Sequence, residues 1–335
     1  MFVRFFGAKF EFPFGTSTKR EVNKMKKYAI TLLFGLTVCF FATGLQAAGT
    51  GFEFLRTPVG ARASAMGGAF VAMPGDVHDV FYNPSGLSLI SQRTGTFSYL
   101  KHVLDFQSGF VAVAQPVENW GRMGVGLQYF NYGSFQKADA SGNQLGTFGA
   151  SNVAVTFSYA NALFQAHNSN IHYGVSVKFI YSKIAQYAST AMAADFGFTY
   201  ETPIQGLVVA GGVFNVGKSF SPFIRTKEAL PFNYRLGFSK ILAHLPLQLS
   251  AEGYKFGNEN FGFAFGGEFT ITQNFFLRFG YNSIGKEQKL GVSQDKFAGI
   301  SFGTGFVWNG YHLDYGLTAS GAIGNLNRLS IVKAF

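Results

Sequence analysis

With 335 residues, 42 glycines, 17% aromatic and only 13% charged side chains, the chain is unlike an ordinary soluble domain, in which about a quarter of residues are charged. Hydrophobic residues make up 47%, yet beyond the N-terminal region no unbroken apolar run approaches the ~20 residues of a membrane helix, which excludes a helical membrane bundle. The formal charge of +10 falls to +5 once residues 1–47, with seven Lys/Arg and two Asp/Glu, are set aside, so nucleic acid is not an expected partner.

Residues 1–24 fit no part of an export signal and read as an upstream extension ahead of a translation start at Met25. Met25-Lys26-Lys27, the apolar run from Tyr28 to Ala42 and Leu45-Gln46-Ala47-Ala48 read as a secretory signal over 25–47, with cleavage after about Ala47. Cys39, the one cysteine, lies inside that run. A mature chain without cysteine has no disulfide, no thiolate nucleophile and no Cys-ligated metal.

Residues 48–93 hold the one stretch not written as a strand. Gly60, Ala61, Ala63, Ser64, Ala65, Gly67, Gly68 and Ala69 predict a short helix passing close to other backbone. Pro74-Gly75 break it, and Phe81-Tyr82-Asn83-Pro84-Ser85-Gly86-Leu87 close the unit as a turn. In ARASAMGGAFVA, followed by an acidic residue and YNPSGL, the chain resembles the N-terminal segment of the PorV/PorQ family of bacterial outer-membrane barrels, which are themselves similar to FadL-type fatty-acid transporters. The resemblance implies that 48–93 fold into a barrel lumen as a plug, with Arg62, Gly67, Gly68, Asp76, Asn83, Pro84 and Gly86 as its motif residues. Ser85 stands where that motif usually has Ala.

Residues 94–335 divide into alternating segments near the roughly 9–11 residues of a tilted membrane strand. The first seven are Thr94–Leu104, Gln107–Val117, Arg122–Tyr132, Asn152–Asn161, Ile171–Lys183, Ala191–Tyr200 and Leu207–Val216. Phe232–Leu242, Leu247–Phe256, Phe261–Ile271, Phe275–Ser283, Phe297–Val307, Tyr311–Ala319 and Leu326–Phe335 follow. About fourteen strands, an even number, predict an all-β transmembrane antiparallel barrel with the helical plug in its lumen. Short turns at 118–121, 202–206, 243–246, 272–274 and 308–310, with a longer one around 164–170, are expected on the periplasmic side. Longer loops at 133–151, 217–231 and 284–296, and shorter ones near Asp105 and Asn258, are expected outside the cell. The plug and Phe335 then belong to the periplasmic side, and Trp120 and Trp308 fall on short turns, where amphipathic rings suit a membrane interface. The terminal Phe335 resembles the signal read by the barrel-assembly machinery, although Lys333 stands where that pattern has an aromatic residue.

Alternation places Lys178, Arg235, Arg278 and Arg328 inward against Asp195, Glu252, Glu268 and Asp314, a balanced set. Turn symmetry pairs Glu268 with Arg278 and Arg235 with Glu252 across their hairpins, as lumen filling or as contacts for a polar head group. Gly212–Ser219 spells a phosphate-binding loop, but a strand-like first half and Phe220-Ser221-Pro222 in place of a helix argue against nucleotide. The six histidines show no metal-ligand spacing, and no Ser, His and acid grouping stands out in sequence. No cofactor, metal or catalytic residue is expected.

The PorV/PorQ resemblance implies a component or adaptor of type IX protein secretion, with secretion proteins and exported substrates as partners beside outer-membrane lipid. Phe135, Phe148, Phe220 and Phe223 are its expected contacts on the outer loops. The alternative is a FadL-like channel for long-chain fatty acids or other hydrophobic compounds, with an apolar pocket beside the plug; an outer-membrane hydrolase ranks third.

Overall fold

The computed structural model describes residues 51–102, 106–166, 169–286 and 293–335, so the extension and signal read at 1–47, with Cys39, lie outside the described residues. Fourteen strands form: β1 (Thr94–Lys101), β2 (Gln107–Val117), β3 (Gly121–Ala138), β4 (Gln144–Ala166), β5 (Ser169–Ile184), β6 (Tyr187–Glu201) and β7 (Leu207–Ser221). The second half is β8 (Asn233–Ile241), β9 (Leu247–Phe256), β10 (Gly262–Thr272), β11 (Phe275–Asn282), β12 (Ile300–Trp308), β13 (Tyr311–Ala319) and β14 (Asn325–Ala334). Each strand pairs antiparallel with its sequence neighbours, and β14 returns to β1 in the register Phe97↔Ile331, closing a barrel with no free edge. Closure satisfies every strand's backbone groups within the wall, which is the condition for an apolar exterior. That exterior is present: Phe97, Phe157, Phe179, Leu236, Phe265 and Phe302 face outward with about half their surface exposed, while Ser, Gly, Ala and the predicted charges face in.

Two expectations about loops are overturned. Residues 133–151 are mostly strand, because β3 and β4 go on pairing past the barrel rim, with Phe135 opposite Phe148 and register shifts after Asn131 and Gln136. Beyond the rim both faces of the hairpin meet water, so the apolar alternation that marks a strand in the sequence disappears while the backbone pairing continues. Likewise β7 runs to Ser221 and absorbs the phosphate-loop-like stretch; Asn215, at φ 58°, forms a left-handed bulge there, and no helix follows.

The plug holds α1 (Ala61–Ala65), α2 (Asp79–Tyr82) and 3-10 turns at Glu53–Arg56 and Pro84–Leu89. It does not stay at the short-turn end, as expected, but threads the whole lumen. Arg56 pairs with Glu259 at 2.6 Å and Gly51 lies against Glu228, both at the long-hairpin end. At the other end the Ile90 carbonyl accepts from Arg122 Nε, near the Trp120 turn. Phe52 and Phe54 account for this path, since both bury their rings in the lumen cluster that includes Phe130.

Where plug meets wall, the wall presents glycine. A methyl group on Gly266 would sit 2.6 Å from the Met66 carbonyl oxygen, and one on Gly316 2.6 Å from that of Ala61. On Gly280 it would overlap Gly67 and Met66 backbone, on Gly174 that of Pro84 and Ser85, and on Gly197 the Asn83 side chain. The plug answers with its own small residues, and Gly67 at φ 67° takes a conformation that few other residues adopt. Gly280→Val is expected to force the plug out of its seat at a cost of about 1–3 kcal/mol, raising conductance in planar bilayers while the barrel keeps its fast migration on unheated gels. Gly109→Ala, where a methyl group meets nothing within 4 Å, should leave both readouts unchanged.

Candidate functional site in the lumen

The polar half of the lumen is built around Glu268 on β10. Its neighbour across the hairpin is Arg278, in direct register as the turn symmetry predicts, with Arg278 Nε donating to Glu268 Oε2 at 2.5 Å. Arg278 Nη1 also reaches Asp314 on β13 at 2.6 Å. From the plug, Arg62 forks onto Glu268 through Nε and Nη2, both at 2.8 Å, while its Nη1 holds Asp76 at 2.9 Å. Bidentate pairing of this kind is the strong form of the interaction, and it ties α1 to the wall. The sequence reading had Arg62 as a motif residue without a partner; only the fold supplies one.

A second anchor uses Glu252. Its Oε2 accepts from the backbone N–H groups of Phe70 and Val71, each at 3.0 Å, and Oε1 faces Arg235 Nη1 at 3.4 Å. The expected Arg235–Glu252 pair therefore exists, but two residues out of register: Arg235 is opposite Tyr254, and Glu252 opposite Gly237. The diagonal leaves Glu252 turned toward the plug. Asn83, fully buried, donates from Nδ2 to the Val71 carbonyl at 2.9 Å and to that of Phe198 at 3.3 Å, and accepts from Ser85. Pro84 sets the following turn, and Gly86 packs on Asp79. Lys178 pairs with Asp195 at 2.8 Å and donates to Asn215 at the β7 bulge.

The remaining half carries an apolar cluster among polar inward positions such as Ser108, Gln128, Asn152 and Ser182. Inward positions of β1 to β6 include Leu100, Phe110, Phe130, Ala154, Ile180 and Ala191, one cluster with Phe52, Phe54 and Phe70 of the plug. From it a file of rings climbs to the long hairpin. Phe54 lies 5.2 Å from Phe130, Phe130 6.4 Å from Tyr132, Tyr132 5.4 Å from Phe106, Phe106 5.9 Å from Phe135, and Phe135 5.4 Å from Phe148. Phe135 and Phe148 are thus half-buried members of an aromatic track that enters the lumen, not free loop contacts as expected; Phe220 is exposed and Phe223 half-buried. No spacing in the sequence announces this file, because its members lie on four separate stretches of chain, the plug, the residue before β2, β3 and β4.

The fold also assembles an acid, a histidine and a serine that the sequence did not suggest. His78 Nδ1 lies 2.7 Å from Asp76 Oδ1, and His78 Nε2 lies 3.3 Å from both Ser98 Oγ and Thr96 Oγ1. Ser98 is 2% exposed and also bonded to Ser330, which in turn accepts from the Ala61 N–H. A nucleophile shared among these partners at a closed seam has no approach for substrate, so the group works as a latch between plug and the β1–β14 seam. Among the described residues no cluster of three or more His, Cys, Asp or Glu is arranged for a metal. The four inward wall cations and four inward wall acids balance in number but do not pair one to one, since Arg62 of the plug shares Glu268 and Arg328 reaches no carboxylate among the described residues.

No family model matches the chain, and no curated protein matches it in sequence. Solved structures do match in fold. The chain is similar to a FadL homologue of Pseudomonas aeruginosa at 10% identity and TM-score 0.53, covering 83% of this chain and 98% of that one. It is similar to the toluene transporter TodX of Pseudomonas putida at 12% identity and TM-score 0.55, covering 82% and 96%. The toluene transporter TbuX of Ralstonia pickettii matches at 11% identity and TM-score 0.54, covering 83% and 98%. The likeness establishes a FadL-like barrel fold over most of the chain and leaves PorV/PorQ membership without support.

Asp79 is the strained acid of the plug. Its Oδ1 is buried without a partner, and burial, followed by the Asp76 charge beside it, raises its carboxyl well above the usual range. For Asp76 burial also opposes ionisation, but His78 and Arg62 outweigh it and hold the carboxyl far below that range. A proton bound more tightly in the folded state means that Asp79 costs nothing below about pH 4, its unfolded value, and destabilises progressively as pH rises toward its folded value. Asp79→Asn is therefore expected to raise plug stability by about 1 kcal/mol or more at pH 8, with the gain vanishing near pH 4. Protease protection of the plug across that pH range measures it.

Proposed function

We propose that the chain is an outer-membrane barrel that conducts hydrophobic compounds from the cell surface into the periplasm, the long hairpins facing out. The observation that carries this reading is the apolar cluster of the lumen, continuous through the ring file from Phe148 to Phe54. An apolar solute finds ring contacts along it from the hairpin to the plug. The solved structures of similar fold include transporters of toluene, which fits the same class of cargo. The outward apolar belt and the exposed indoles of Trp120 and Trp308 on turns at one end suit a membrane interface. Phe52 and Phe54 fill the lower end of the track, so transit requires the segment before α1 to swing aside while Glu252 and Glu268 keep the rest of the plug in place.

The secretion-adaptor reading keeps one observation in its favour, the exposed Phe220 near the end of β7 and the exposed Ile224 in the segment that follows. It needs no apolar lumen, and the adaptor contacts read at Phe135 and Phe148 are half-buried in the track.

The test places the protein in a Gram-negative host without its own hydrophobic-uptake channel. The barrel should fractionate with the outer membrane, and radiolabelled toluene and decanol should enter several times faster than in the empty host, with sucrose still excluded. Phe110→Ser combined with Phe130→Asn should return uptake to background without loss of the fast-migrating folded band. Uptake that never exceeds the empty host while the barrel is folded in the outer membrane overturns the reading.

A further inference from the structure

Three outward-facing lysines stand on alternate strands toward the long-hairpin end of the barrel: Lys183 on β5, Lys218 on β7 and Lys255 on β9. Each ends the apolar outward file of its strand. Below Lys183 the file reads Phe179 and Tyr181, both nearly half exposed; below Lys218 it reads Val213 and Val216, and below Lys255, Leu249 and Ala251. The three do not share one row of the sheet. Lys183 faces Ala188 on β6, while Lys218 faces Met192, four residues lower on that strand. Lys255 faces Tyr234 on β8, whose partner on β7 is Val213, five residues lower than Lys218. Barrel strands tilt by roughly 40°, so a line that steps down from strand to strand in this way follows the upper edge of the apolar belt.

None of the three lysines forms an ion pair or a hydrogen bond among the described residues. From β4 to β9 the carboxylates are Asp195, Glu201, Glu228 and Glu252, and all lie elsewhere. Asp195 and Glu252 point inward to Lys178 and Arg235, Glu201 joins His172 at the opposite end, and Glu228 lies against Gly51 of the plug. The outer face of this part of the wall therefore carries positive charge alone, at the height where lipid headgroups begin.

We propose that the lysine row binds the headgroup of an outer-leaflet glycolipid whose disaccharide carries a phosphate at each end. The inference rests on the proposed orientation, long hairpins outward, and is independent of the cargo. Alternate strands stand about 10 Å apart, so neighbouring lysines reach the two ends of one such headgroup rather than a single phosphate. Acyl chains below the headgroup then lie on the files under Lys183 and Lys218, which makes the site continuous with the membrane belt. An acidic protein would meet the charges and leave those files to lipid.

Native mass spectrometry of the barrel in detergent measures binding of diphosphoryl lipid A, monophosphoryl lipid A and phosphatidylglycerol. Wild type should bind the diphosphoryl form about tenfold or more tightly than a variant carrying Lys183→Gln, Lys218→Gln and Lys255→Gln, and each single replacement should cost about threefold. The monophosphoryl form should lose less, and phosphatidylglycerol less than about twofold. Ser141→Cys at the tip of the β3–β4 hairpin, labelled in intact cells by a membrane-impermeant maleimide, reports the orientation separately. With the label in place, equal diphosphoryl affinity in wild type and variants, an equal loss for phosphatidylglycerol, or loss of a dimer in place of lipid overturns the glycolipid site and leaves the channel reading standing. A folded barrel that takes no label overturns the orientation, and both readings with it.

Discussion

The plug lies backbone to backbone against the barrel wall, and the rest of the structure depends on that contact. Side chains on both surfaces would hold the plug some ångströms from the wall and leave a water-filled annulus. Glycine on the wall strands and Gly, Ala and Ser on the plug let Met66 meet Gly266 and Ala61 meet Gly316 directly. Close approach excludes water, and excluded water is what makes the polar anchors strong. Glu252 then clasps two plug N–H groups, Arg62 bridges Asp76 to Glu268, and Asn83 joins Val71 to the β6 backbone.

The lumen is divided by chemistry. Around β8 to β13 the wall carries paired charges that hold the plug; around β1 to β6, alongside the Lys178–Asp195 pair, it carries the apolar cluster that continues into a ring file leaving the barrel along the longest hairpin. The division gives the plug two kinds of attachment. The ionic side is directional and has few alternatives, since breaking one buried partner strands another. The apolar side is non-directional, so Phe52 and Phe54 can exchange contacts with a guest of similar character at little net cost. A plug held firmly on one side and loosely on the other is what the proposed conduction beside it requires, without its removal.

The seam between β1 and β14 shows how one location serves several ends. Strand closure, the contact of Asp76 and His78 of the plug with Ser98, and Arg328, which reaches no carboxylate among the described residues, all meet at this seam. Ser330 joins closure to plug by accepting from Ala61 and bonding Ser98.

By itself the sequence determined the barrel, its fourteen strands and which faces look outward, because a strand's period of two and the turn residues between strands are written in adjacent positions; that the helix-and-turn unit before them fills the lumen was implied only by the resemblance of its motif. It also determined the Glu268–Arg278 pair, since a short turn sets the register of its own hairpin. It did not show that 133–151 continue as strand, because pairing beyond the rim needs no apolar alternation. Only the tertiary structure decided that Arg235 meets Glu252 diagonally, that Arg62 completes the Glu268 network, that His78 joins Asp76 to Ser98, that Phe135 and Phe148 lead into the lumen, and that Arg328 bonds Thr318 and reaches no carboxylate among the described residues. Each of these depends on the stagger of the closed barrel and the height at which the plug threads it. Those quantities come from contacts between residues as far as 269 positions apart, and no local pattern encodes them.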